Sequence, residues 1–490
     1  MVLVVSILAS FVAFLDGAIV NVALPAIQRD LGGGLSAQQW IVDAYLLTLG
    51  SLILIAGSLS DLLGRKKILT LGLIGFGVAS LLCALAPNST SLIIFRALQG
   101  IAGALLVPSS LAIIISTFSG PAQGKAVGTW TAWTGISFVI GPLLGGILVD
   151  AASWRWIFAI NVLPIAVTLY LLRRVKVVED AVPKARVDFV GALLCAFGLG
   201  GPVFALIEQP RYGWGNPLIY LPLIIGTVLF ISFLIYESRA KHPMLKLDLF
   251  RNRNFSVGNV ATLAIYAGLS VSTFLIVLFL QQVSGYSALN AGLALLPVTI
   301  IMFLLSPRFG GLSAKYGPRW FMGLGPLIAG IGFLWIGRLP LDFNYWTHLL
   351  PGVIIFGLGL SITVAPLTEA ILGDVPHQEA GVASAINNAV ARIAGLVAVA
   401  AVGAIVALQF GNALQRDLCV PVSGHALEQA KQASLVTTPP KPYQNDVSFK
   451  NALQDASVSA FHTGMNVTAG LVIAGGAISL IGIRNAKKSK

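Results

Sequence analysis

Apolar runs of about 20 residues recur along almost the whole of this chain, and that repeat leaves few folds open. Wound at 1.5 Å per residue, a run of that length is what a helix needs to cross a hydrocarbon core about 30 Å thick. The runs lie near 3–24, 41–60, 67–87, 91–116, 126–149, 155–173, 188–208, 217–237, 256–280, 290–311, 319–338, 347–372, 382–409 and 460–483. Only 10% of the residues are charged, against about 25% in an ordinary soluble domain. The expected fold is therefore an all-α polytopic membrane protein of fourteen spans, with no large soluble domain left over.

A net charge of +12 could point to nucleic acid, but the basic residues alternate from loop to loop. With both termini on the cytosolic side, the loops and tail there carry 21 Lys and Arg against 8 opposite. Four of those eight fall in the single long loop 410–459, where charge has little orienting weight. The basic balance thus reads as an orientation signal: a multi-pass protein with both termini cytosolic, and with the bilayer and not nucleic acid as its partner. The first span begins almost at Met1 but has no basic leader, and Asp16 interrupts it, so it reads as a retained helix rather than a signal peptide. Cys83 and Cys195 lie in spans and Cys419 in the long loop, so no disulfide framework is expected.

Asp16 is the residue that most needs a reason. An ionisable group inside a spanning helix costs at least about 2.5–3.5 kcal/mol, so it faces a wet cavity or a partner charge. Span 4 offers one in Arg96, within Arg96-Ala-Leu-Gln99-Gly100-Ile-Ala-Gly103. Arg96 and Asp16 lie about one helical turn apart in depth, and an Arg side chain can bridge that. The competing reading has Arg96 snorkelling to the external interface. Span 13 places Ser384, Asn388 and Arg392 on one helical face, with Arg392 close to midplane; it faces either a cavity or a buried acid. Glu369 follows Pro366 near the cytosolic end of span 12. Asp43, in Trp40-Ile-Val-Asp43-Ala-Tyr45, is near the external edge, with solvated and buried roles both open. Gln281, Gln282 and Glu208 read as wetted rim residues.

One loop occurs twice. Gly57-Ser-Leu-Ser-Asp61-Leu-Leu-Gly64-Arg65-Lys66-Lys67 follows span 2, and Gly310-Gly-Leu-Ser-Ala314-Lys-Tyr-Gly317-Pro318-Arg319 follows span 10, with Ala314 where the first copy has Asp61. Duplicated halves with the site at their interface are a common transporter plan. Residues 1–174 then form one six-helix bundle and 255–490, including the external loop 410–459, the other. Residues 175–254 are a linker carrying two inserted helices. Gly57 and Gly64 suit close helix approach and a sharp turn, and Asp61 can accept hydrogen bonds from a helix end or an Arg across the seam. In span 5, Gly141-Pro142-Leu-Leu-Gly145-Gly146 combines a proline kink with a small-residue packing face.

Together these motifs resemble the major facilitator superfamily, and within it the fourteen-span branch of drug:proton antiporters. The resemblance covers nearly the entire chain. It implies two six-helix bundles plus two inserted helices, a conformational latch at Gly57, Asp61, Gly64, Arg65 and Lys66, and an exporter-type kink at Gly141, Pro142, Gly145 and Gly146. Span 1, Leu15-Asp16 through Pro25, matches the branch's opening motif except for Ala18 in place of the usual Thr. The expected site has Asp16 and Arg96 in proton coupling, with Asn21, Tyr45, Gln99, Asn388, Arg392 and Glu369 lining a substrate cavity.

No G-x-x-x-x-G-K-[ST] loop is present, so an ion gradient must supply the energy, with the proton as coupling ion and no other cofactor. Five scattered His residues (242, 348, 377, 425, 462) form no metal-ligand pattern, and no Ser, His and Asp grouping recommends itself, so no enzyme is expected. The function implied is export of a small amphipathic drug, toxin or metabolite in exchange for protons, by a monomer working alone or with an accessory export protein. Proton-coupled uptake is the alternative.

Overall fold

The computed structural model describes residues 1–118, 120–175, 187–240, 243–373, 375, 380–418, 435, 437, 439, 443–444 and 446–485, apart from some side chains within helices. The helices are α1 (Val2–Leu31), α2 (Gly34–Leu63), α3 (Arg65–Ala84), α4 (Ser89–Thr117), α5 (Gly120–Ala151), α6 (Trp156–Ala159), α7 (Val162–Arg174) and α8 (Phe189–Tyr212). Then follow α9 (Pro217–Arg239), α10 (Arg253–Leu278), α11 (Ala288–Ala294), α12 (Leu296–Tyr316), α13 (Pro318–Ile336), α14 (Leu350–Leu372), α15 (Ala380–Asp417) and α16 (Val447–Gly482). Among the described residues, thirteen helices are long and apolar enough to cross a membrane. Helix α5 lies where span 5 was expected, with part of its side chains outside the described set.

Two expected spans are each made of two pieces. Span 6 breaks around Ile160 and Asn161 into α6 and α7, and span 10 breaks at Leu295 into α11 and α12, just before Pro297. Three others run longer than the apolar run that marked them. Helix α1 continues through Pro25 to Leu31, α15 reaches Asp417, and α16 starts at Val447, so the connection expected over 410–459 narrows to 418–446. Hydropathy sees the greasy part of a helix and not the polar turns beyond it, here capped by the Asp446 carboxylate on the amide of Phe449 at 3.0 Å.

Helices α1–α7 pack on one another, as do α10–α16; α8 pairs with α9 and also rests on α2 and α15, one from each bundle. Glu208 of α8 takes part in that docking, accepting from Ser36 Oγ and Trp40 Nε1 of α2, each at 2.9 Å, so it is a fixed contact and not a wetted rim residue. With α5 taken as a crossing beside those thirteen, the two chain ends fall on one face, called here the terminal face.

The duplicated loop is visible as geometry. Gly64 and Gly317 both take left-handed φ values, 97° and 87°, and turn the chain from one helix directly into the next. Two residues on, Lys66 Nζ donates to Val175 O at 2.7 Å, at the end of the sixth span of its bundle. At the equivalent place Arg319 Nε donates to Leu480 O, also at 2.7 Å, near the end of the sixth span of its own bundle. Each copy thus places a cation on the carbonyl end of a helix within its own half. At Gly57 an added Cβ would meet nothing within 4 Å among the described residues. The side chain of Asp61 lies outside the described residues, and so does that of Ala314.

Candidate functional site

Asp16 sits midway along α1, fully buried, and accepts from donors on α4 and at the break between α6 and α7. Arg96 Nη1 of α4 reaches its Oδ2 at 2.5 Å, so the two pair directly and Arg96 does not snorkel. Oδ1 accepts from Gln99 Nε2 at 2.9 Å and from Asn161 Nδ2 at 3.0 Å. Ser80 Oγ of α3 in turn accepts from both amides, at 2.8 Å from Gln99 and 3.3 Å from Asn161. The i, i+3 spacing of Arg96 and Gln99 puts them on one face of α4, and Arg96 Nη1 also donates to Gln99 Oε1 at 2.6 Å.

The guanidinium is held from every side. Its Nε donates to Ile41 O at 3.0 Å, and its centre lies 4.2 Å from the ring centroid of Tyr45 and 5.8 Å from that of Phe158. Tyr45 itself donates to Ala13 O at 3.2 Å. Arg96 is 1% exposed and Gln99 and Asp16 0%. This corrects the placement of Tyr45 and Gln99 as cavity lining: both serve the buried pair inside the first bundle. Asn161 and Ser80 were not singled out from sequence. A neutral Asn or Ser in a span is common, and only the break between α6 and α7 aims Asn161 at the carboxylate.

Ala18, the departure from the branch pattern, lies at a close helix contact. A Cβ at Gly141 would lie 2.6 Å from Ala18 Cβ, and one at Gly145 2.7 Å from Ile19 Cγ1, so α5 needs glycine at both positions where it presses on α1. The other face of the same motif crosses to the second bundle. A Cβ on Gly146 would lie 2.4 Å from Leu289 Cα, and one on Gly292 2.6 Å from Pro142 O.

Around that contact the bundles are tied together on the face opposite the termini. The Asp150 carboxylate accepts from the amides of Ala288 at 3.2 Å and Leu289 at 2.8 Å, the first free amides of α11. Gln281 Nε2 donates to Val22 O at 2.8 Å and Gln282 Nε2 to Gln28 Oε1 at 2.7 Å. Both glutamines lie on a wide, π-helical turn, Phe279–Val283, that follows α10. Both are half-buried and tie the two bundles together. Deeper in, Gln39 Nε2 donates to Val399 O of α15 at 2.8 Å.

The second bundle's candidates are spread out. Arg392 is half-buried in α15, its guanidinium centre 5.1 Å from the ring centroid of Phe14 in α1. Asn388 spends one N–H on Ser384 O of its own helix at 3.0 Å. Glu369 accepts from Ser313 Oγ of α12 at 2.5 Å, a pairing within the second bundle that does not bring it to Arg392. Asn21 is half-buried. Asp43 is 0% exposed and neither of its carboxylate oxygens has a hydrogen-bond partner among the described residues, so of its two open roles the buried one holds here. Among the described residues no group of His, Cys, Asp and Glu could hold a metal ion.

A bundle pair of this kind, with a charged pair buried in one half and a seam of small residues between halves, defines a polytopic transporter. The family model described as Major Facilitator Superfamily matches residues 6–399, and the chain belongs to that superfamily, whose members are transporters and not enzymes. A puromycin resistance protein of Streptomyces alboniger is 34% identical over 407 residues, covering 81% of this chain and 80% of that one. A multidrug transporter protein of Bacillus subtilis is 34% identical over 418 residues, covering 85% and 76%. Among solved structures, a bacterial homolog of the human lysosomal transporter Spinster, inward-facing and unoccupied, superposes with a TM-score of 0.68 at 15% identity, covering 99% of this chain and 98% of that one. At that identity the likeness concerns the fold alone.

Proposed function

We propose that this protein exports a small amphipathic compound in exchange for protons, by alternating access, from a bacterial cytoplasm in which both termini lie. The observation that carries the reading is the Asp16–Arg96 pair: a carboxylate at mid-helix, wholly excluded from solvent, whose every hydrogen bond is to a donor of its own bundle. Protonating Asp16 removes the anionic partner of Arg96. The guanidinium then keeps only Ile41 O, Gln99 Oε1 and two aromatic faces, and the packing of α1 against α4 is reset.

Helix α1 is also the surface against which Gly141 and Gly145 of α5 pack, and α5 carries Asp150 and Gly146 to the seam. A change in the tilt of α1 therefore reaches the contacts that close the face opposite the termini. Resistance and multidrug functions named for two relatives support the outward direction of cargo, and the excess of basic loops supports a cytosolic terminal face. One proton entering is worth about 2.3 kcal/mol per 100 mV, enough for roughly a fifty-fold gradient of a neutral solute.

In proteoliposomes with an imposed pH gradient, Asp16→Asn should abolish concentrative transport while leaving the protein monodisperse and competent for downhill exchange. Undiminished uphill transport by this variant rejects the assignment. Accumulation of cargo along the direction of proton flow would instead favour uptake.

A further inference from the structure

Arg96 is buried in α4 and Arg392 half-buried in α15, and they are treated differently. Arg96 has a carboxylate, a carbonyl, an amide oxygen and two aromatic rings. Arg392 has no carboxylate within ion-pair distance and no hydrogen bond among the described residues; its one close partner is the face of Phe14. It stands twelve residues into α15, about 18 Å along the helix, which is mid-bilayer depth. A guanidinium is always charged and carries five donors, and lipid satisfies none of them at that depth.

Its surroundings show that it faces inward. Arg392 Cβ lies 3.6 Å from where a Cβ on Gly50 of α2 would stand, and Phe14 belongs to α1, so it points across the seam at the first bundle. Asn388, one turn earlier, has committed only one N–H, to its own helix. Arg392 itself is half-buried, on the side of α15 that faces the first bundle.

We infer that Arg392 is the seat for an acidic group of the cargo, so that the transported compound is an amphipathic organic anion: a carboxylate, sulfonate or phosphate on an apolar body. The fork of the guanidinium matches such a group in two-point hydrogen bonding. Asn388, one turn earlier, supplies a further donor. The inference rests on the export reading and narrows it. It also fixes the charge moved per cycle: one proton in against one monoanion out carries two charges, against one for a neutral cargo and none for a cation.

The test separates binding from coupling. Purified full-length protein in detergent, without any pH gradient, is screened for thermal stabilisation and tryptophan quenching by a panel of naphthyl and biphenyl acids, each with its methyl ester and its amine analogue. Acids should bind at least tenfold more tightly than their esters, and Arg392→Gln should lose that preference while remaining monodisperse. Arg392→Lys, which keeps the charge and loses the fork, should retain part of it and shows that loss in Arg392→Gln is not loss of fold. Acids that bind no better than esters, or equally well to Arg392→Gln, overturn the inference. Acid binding that depends on Arg392 without gradient-driven transport upholds it and removes proton antiport alone.

Discussion

Asp16 and Arg392 lie at comparable depths in opposite bundles, and their surroundings differ in the way that matters most for a charge in a membrane. Around Asp16 the chain supplies Arg96, Gln99 and Asn161 as donors, with Ser80 holding two of the three in place. Around Arg392 the described residues supply an aromatic face and no acid. A buried charge that the fold neutralises belongs to the machine. One that the fold leaves unneutralised, facing the space between bundles, is available to whatever enters it.

The largest effect should come from breaking the closed site. Arg96→Leu leaves Asp16 with two neutral amides as its only donors, and removing one partner of a buried pair typically costs about 3–5 kcal/mol. Low yield and a strongly lowered thermal midpoint are expected in detergent. The double variant Asp16→Asn with Arg96→Leu should recover much of that loss, because no uncompensated charge remains. If the single and double variants are equally unstable, the pair is not the unit described here.

Asp43 sharpens the comparison as a third case, a carboxyl that is both buried and without a partner among the described residues. Polar burial without hydrogen bonds is costly, so Asp43→Leu should raise the thermal stability of this closed arrangement by about 1–3 kcal/mol. A fall in stability would mean that the carboxyl is bonded by groups that Leu cannot replace. Its neighbour one turn before, Gln39, ties α2 to α15, so a stabilised variant should also open more slowly at that seam, which cysteine accessibility on the two helices would register.

Much of this arrangement was legible in the sequence, for a physical reason. Charges are so rare in apolar runs that Asp16, Arg96 and Arg392 stand out, and their depth follows from counting residues at 1.5 Å each. Neutral partners do not stand out: Asn161 and Ser80 matter only because the broken sixth span and α3 aim them at one carboxylate. The glycines of span 5 were readable as a packing face, but not that one face meets Ala18 and Ile19 while the other meets Leu289 of the opposite bundle. Likewise Tyr45 sits between a motif and a cavity in sequence, and only the fold assigns its ring to Arg96. The ties at Gln281, Gln282 and Asp150 depend on which face of the seam is closed, and a sequence encodes every state at once.

The smallest effect on stability should come from the residue with the largest proposed effect on binding. Arg392→Gln orphans no carboxylate among the described residues, because none is paired to it, and it removes one cation–aromatic contact with Phe14. Its cost should stay near the ordinary point-substitution scale, about 1 kcal/mol, and well below that of Arg96→Leu. The two thermal midpoints, measured in one detergent, test the contrast directly. If Arg392→Gln is as damaging as Arg96→Leu, then Arg392 is a structural charge with a partner of its own, and the distinction between a neutralised site and an open one collapses. If it is nearly silent in stability while anion binding is lost, the charge is held ready for a ligand by a scaffold that does not depend on it.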